Sequence, residues 1–126
     1  MPNTSMATNE FPQVFLRLSR ILHAYQREMV VVDDDSQHIH LDTPHGMKNK
    51  KNFFFGGVRI MKNNVSYHLM PVYLFPQLLE TASPALRSRM QGKSCFNFKS
   101  VDEGLFEELA TLTEAGYQRY RKHSYV

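Results

Sequence analysis

The chain predicts a two-layer α+β fold: an antiparallel sheet of about five strands with an N-terminal and a C-terminal helix on one face. Three observations carry that prediction. Apolar residues recur at helical spacing near both ends, from Phe11 to Tyr25 and from Leu105 to Leu112. Between them lie segments of period-two alternation, of which Gln37–Asp42 and Ser94–Lys99 are the cleanest. The connections between successive strands are short, which favours a meander over crossovers, in the order α-β-β-β-β-α-α-β-α.

Each element has a local reason. Asn9 is a capping residue and Pro12 falls within the first helical turn, so a helix is expected from about residue 10. Its stripe is Phe11, Val14, Phe15, Leu18, Leu22 and Tyr25, and Gln13, Arg17, Arg20 and Arg27 form the opposite face. Met29–Val32 is β-branched and apolar and runs into Asp33-Asp34-Asp35-Ser36, so two strands around an acidic turn are expected. Thr43–Asn52, with Pro44, Gly46, Lys48, Lys50 and Lys51, reads as a loop. Phe53–Met61 and Val65–Val72 flank Lys62-Asn63-Asn64, a hairpin turn in which asparagine tolerates positive φ. Pro71 and Pro76 interrupt the sheet pattern, and Pro76–Ala82 reads as a short helix. Ser83-Pro84 starts a second one, which Gly92 is expected to end. Ser100-Val101-Asp102-Glu103 fits a capping box before the final helix of Leu105, Phe106, Leu109 and Leu112.

Size and composition bound the function. The chain has 126 residues, which is most simply one domain spanning residues 10–126 behind a loose tail of residues 1–9. Cys95 is the only cysteine, so no intrachain disulfide forms, and a reducing, cytoplasmic setting is expected. Residues 1–9 have no basic or apolar segment of a signal peptide, and no apolar run approaches the ~20 residues needed to span a bilayer. The formal charge is +3, a small excess for a nucleic-acid binder.

Over the second half of the chain the residues VSYHLMPVY, SPALRSRMQGKSCFNFK and LFEELATL resemble the YdhG-like family of uncharacterised bacterial proteins. The resemblance extends from about Phe11 onward and is loosest over Val30–Asn52. It implies a small frataxin-like α+β domain with the first and last helices packed on one face of the sheet. It also implies, through relatives proposed as intracellular iron chaperones, a second function: iron binding. In this chain Asp33, Asp34 and Asp35 are the acidic cluster that such a role would use.

Two constellations carry chemistry. Alternate residues of a strand share a face, so His38, His40 and Asp42 project together, with Asp33, Asp34 and Asp35 across the turn and His45 nearby. Imidazole and carboxylate ligands suit Fe²⁺ or Zn²⁺, although a solvated strand face explains the same residues. The second is the sheet face away from the helices. Strict alternation places Phe54, Val58 and Ile60 inward and Phe53, Phe55, Arg59, His68, Met70, Cys95 and Asn97 outward. An uncovered antiparallel face is ordinarily polar, so that mixture marks a small-ligand, protein-partner or homodimer surface. A bulge at Gly56-Gly57 would instead shift the register and bury Phe53 or Phe55. The leading expectation is a non-enzymatic binding module that needs no cofactor. A Cys95–His68 thiolate pair is the enzymatic alternative.

Overall fold

In the computed structural model, which describes residues 10–45 and 52–126, helix α1 (Glu10–His23) buries the stripe Val14, Phe15, Leu18 and Leu22. The expected tail, the Asn9 cap, Gly46 and the lysines of the 46–51 loop lie outside the described residues. A short 3₁₀ turn (Gln26–Glu28) leads into β1 (Val30–Asp34) and β2 (His38–Asp42). Strands β3 (Phe54–Ile60) and β4 (Val65–Leu69) form the central hairpin. Then come α2 (Met70–Leu74), a 3₁₀ segment (Pro76–Thr81), α3 (Pro84–Arg87), β5 (Met90–Gln91), β6 (Cys95–Phe98) and α4 (Glu103–Lys122).

The expected two-layer α+β architecture is present. The sheet is antiparallel in the order β1-β2-β3-β4-β6-β5, and α1 and α4 pack together against one side of it. Ile39 and Leu41 of β2, Val58 of β3, Val65, Tyr67 and Leu69 of β4 and Phe96 and Phe98 of β6 meet Leu105, Phe106, Leu109 and Leu112 of α4 in one core. Inside it the Tyr67 and Thr113 hydroxyls hydrogen-bond at 2.5 Å, so neither buried polar group is orphaned. Arg17, midway along α1, forms an ion pair with Glu103 at the start of α4.

Several local expectations shift. The described residues form six strands, because Met90–Gln91 pairs with β6; two residues are too few to show a period. Helix α3 therefore ends at Arg87, and Gly92, with φ of 79°, serves the turn into β6. Ser83 caps α3 as expected, accepting from the Leu86 N–H. The cap of α4 is Asp102 rather than Ser100: the helix starts at Glu103, and the Asp102 carboxylate accepts from the Leu105 N–H. Neither Asn63 nor Asn64 takes positive φ; the Met61 N–H closes that turn on the Asn64 carbonyl. Strand β4 stops at Leu69, because Pro71 enters the first turn of α2 and Met70 becomes the first helical residue.

Two register shifts decide which side chains reach each face. In β1, Val31 opposes Leu41 while Asp33 opposes His40, so Val32 is an extra residue. In β3, Gly56 opposes Leu41 while Phe54 opposes Asp42, so Phe55 is the extra one. A bulge puts two consecutive side chains on the same side of the sheet. Phe55 is accordingly fully buried against Tyr25, Tyr117 and Tyr120, and a Cβ at Gly56 would point at Leu22 on that same side. Phe53 also lies on the helix side, against Tyr120 and Tyr125. The outward assignment of Phe53 and Phe55 is thus corrected, and the bulge is the reason. The edge strand β1 leaves Val30, Val31 and Val32 exposed, and its bulge and terminal aspartates blunt that edge.

Phe55→Ala removes a wholly buried ring and is expected to cost about 3–5 kcal/mol in urea unfolding. Phe55→Glu is expected to prevent folding, since a carboxylate there has no partner. A folded Phe55→Glu protein with unchanged stability would place this ring outside the core.

Candidate functional site

Among the described residues no helix lies on the outer sheet face, which is organised in rows because directly opposed residues of neighbouring strands share a face. One row runs Asp33, His40, Gly57, His68, Cys95 and Gln91 across all six strands. The next is His38, Arg59, Ser66 and Asn97. A third begins with Asp42 and Phe54. Of the residues expected on this face, Arg59, His68, Cys95 and Asn97 are there. Met70 lies just past the end of β4, as the first residue of α2.

Phe54, expected in the core, lies at the centre of the outer face. Its ring sits between His40 and His68, with centroids 4.6 Å and 4.7 Å away. The ring also lies over Gly57, where an added Cβ would meet it at an ordinary contact distance of 3.4 Å; glycine is required there by the backbone, since that Cβ would stand 2.7 Å from the Ile39 carbonyl oxygen. The bulge behind Phe54 is held by the Tyr120 hydroxyl, which donates to the Phe54 carbonyl at 3.0 Å. The ladder resumes through Thr43, whose Oγ1 accepts from the Phe53 N–H.

Around Phe54 and Gly57 lies a concavity of about 430 Å³. Its lining includes His38, His40, Arg59, Met61, His68 and Cys95. Arg59 is exposed, and among the described residues no carboxylate pairs with it. His68 hydrogen-bonds through Nε2 to the Ser94 hydroxyl at 2.8 Å. Partial burial, and then repulsion from His40, hold its pKa below the usual imidazole range. Cys95 directly opposes His68, but burial raises its thiol pKa, outweighing a hydrogen bond from Ser66 that lowers it. A raised thiol beside a depressed imidazole gives two neutral groups, the reverse of a thiolate–imidazolium nucleophile.

The acidic turn divides. Asp33 faces outward opposite His40, and its Oδ2 lies 3.6 Å from His38 Nδ1. Asp33, His38 and His40 each offer a ligand atom, all within 4.8 Å of one another. Asp34 opposes Ile39 on the helix side and engages His23 and Gln26. Asp35 accepts from the Gln37 and His38 N–H groups and so builds the turn. Asp34 and Asp35 therefore leave the expected ligand set: the β1 bulge sends one inward, and the turn occupies the other. His45 lies beyond β2, its N–H donating to the Tyr125 carbonyl.

Comparison with family models, with curated proteins and with solved structures returned no match to this chain. Among the described residues, no helix is long and apolar enough to cross a membrane.

The face makes a pH prediction. A histidine whose folded pKa lies below its unfolded value of about 6.5 contributes stability that is present above that pH and is lost as pH falls through the folded pKa. Proton NMR titration of the His68 ring is expected to give a midpoint below the ordinary value, and His68→Gln to flatten the fall in stability between neutral and mildly acidic pH. A His68 midpoint at or above the ordinary value would contradict this environment.

Proposed function

We propose that the chain is a non-enzymatic binding domain that takes a small aromatic anion on its outer sheet face. The observation that carries this reading is the concavity over Gly57, bordered by the Phe54 ring on one side and the Arg59 guanidinium on the other. Its volume falls within the ~300–1,000 Å³ typical of small-ligand sites. Phe54 offers a π-face already fixed between two imidazoles, so little side-chain freedom is lost when a ring stacks on it. Arg59 supplies a planar cation that matches a carboxylate, and among the described residues it has no internal ion pair to break. Neutral His68 and Cys95 close the far side as polarisable, uncharged groups.

The test is titration with 1-naphthoate followed by amide NMR. Saturable shifts are expected at Gly57, Arg59, Ser66 and Cys95. Arg59→Ala should weaken binding by about tenfold or more, the usual loss for a hydrogen bond to a charged group. The neutral analogue 1-naphthalenemethanol should bind more weakly than the acid, and Arg59→Ala should abolish that difference. No saturable binding, or shifts centred away from this face, would overturn the reading.

A further inference from the structure

We propose that Asp33, His38 and His40 hold a divalent first-row transition-metal ion on the edge of the outer sheet face, with Asp42 as the group that orients His40. The metal site shares a border with the concavity of the aromatic-anion reading but stands independently of it, since its donors are Asp33, His38 and His40 rather than Phe54 and Arg59, and its probe is a metal ion. It begins from backbone register. His38 and His40 are alternate residues of β2 and share a face, and the extra residue Val32 brings Asp33 directly opposite His40 on that same face. Without that bulge, the residue opposite His40 would be Val32, and Asp33 would turn toward the helices.

The donor set suits the chemistry. Two imidazoles and one carboxylate are ligands for Zn²⁺, Fe²⁺ and their neighbours, and they do not suit Mg²⁺ or Ca²⁺, which favour all-oxygen sites. Ligand atoms about 2.1 Å from a tetrahedral ion stand about 3.4 Å from one another. The Asp33–His38 pair, at 3.6 Å, is already close to that spacing. The remaining separations lie within 4.8 Å and belong to half-exposed side chains, which close the difference by rotation about χ1 and χ2.

Asp42 supplies the second, independent element. Its Oδ1 lies 2.7 Å from His40 Nε2. An ionised carboxylate only accepts, so His40 donates from Nε2, and its lone pair is fixed on Nδ1. A carboxylate holding the far nitrogen of an imidazole ligand is the usual outer support of a metal-bound histidine. Three protein ligands leave at least one coordination position for water or another donor, as in sites where the ion exchanges ligands. His38 and His40 also line the concavity beside Phe54, so an ion held by them borders it.

Isothermal titration of Zn²⁺ into tag-free, chelator-treated protein at neutral pH tests the proposal. Binding at one equivalent is expected, with the ring resonances of His38 and His40 shifting and those of His68 moving less. His38→Ala, His40→Ala and Asp33→Asn should each weaken affinity more than tenfold, while Asp34→Asn leaves it unchanged. Asp42→Asn should cost about 10–100-fold. Circular dichroism melting of the apo variants checks that each folds. Should a variant unfold, the ring shifts in the unaltered chain decide the ligands. No Zn²⁺ binding at millimolar concentration would overturn the site, as would binding undiminished in a folded His38→Ala/His40→Ala double variant. An Asp42→Asn affinity equal to that of the unaltered chain would remove Asp42 from its assigned role.

Discussion

Between Leu41 and Asp42, strand β3 takes two steps while its partner takes one, and most of the molecule is arranged around that mismatch. The extra residue is Phe55. A bulge lets Phe55 and Gly56 both turn toward the helices, and the space there accommodates one large ring and one hydrogen atom. Phe55 fills the gap between Tyr25, Tyr117 and Tyr120, which ties the turn that follows α1 to the last turns of α4. Gly56 lets Leu22 approach the sheet. The disrupted ladder is stabilised by donors and acceptors from elsewhere: the Tyr120 hydroxyl at Phe54 and the buried Thr43 at Phe53.

The same mismatch builds the outer face. By turning Phe55 inward it turns Phe54 outward, onto Gly57 and between two histidines. A second extra residue, Val32, does the equivalent for β1 and delivers Asp33 to His40. The two bulges lie on either side of β2, so β2 itself keeps strict alternation and presents His38, His40 and Asp42 in line. Core and candidate site are therefore two sides of one register, and a change that repaired either bulge would disturb both. This coupling is a reason to expect substitutions on the buried side, at Phe55 or Tyr120, to alter the outer face without touching it.

Much of this was legible in the amino-acid sequence. Periodicity identified α1, α4 and β2, and the Ser83-Pro84 pair marked a helix start that the structure confirms. Alternation correctly placed Arg59, His68, Cys95 and Asn97 outward, because β4 and β6 and the C-terminal half of β3 are regular. It failed for Phe53, Phe54 and Phe55, since a phase counted through Gly56-Gly57 inverts when one residue is extra. The glycine pair signalled that a bulge was available but not which residue it would bury. For Asp33 and Asp34 no signal existed: Val32 is an ordinary β-branched residue, and only pairing with β2 reveals that it is surplus. The Asp102 cap and the short β5 strand were obscured by neighbouring residues with equal local claims, Ser100 for the cap and the helix-compatible run before Gly92 for the strand.

Phe55 belongs to the core and Phe54 to the outer face. Assigned aromatic NOE spectroscopy on the folded protein measures this directly. NOEs are expected from the Phe55 ring to the Tyr25, Tyr117 and Tyr120 rings, and from the Phe54 ring to His40 and His68. Phe55 ring NOEs to His40 and His68, with Phe54 contacting the tyrosines, would mean that β3 runs without the bulge and that the two rings have exchanged faces.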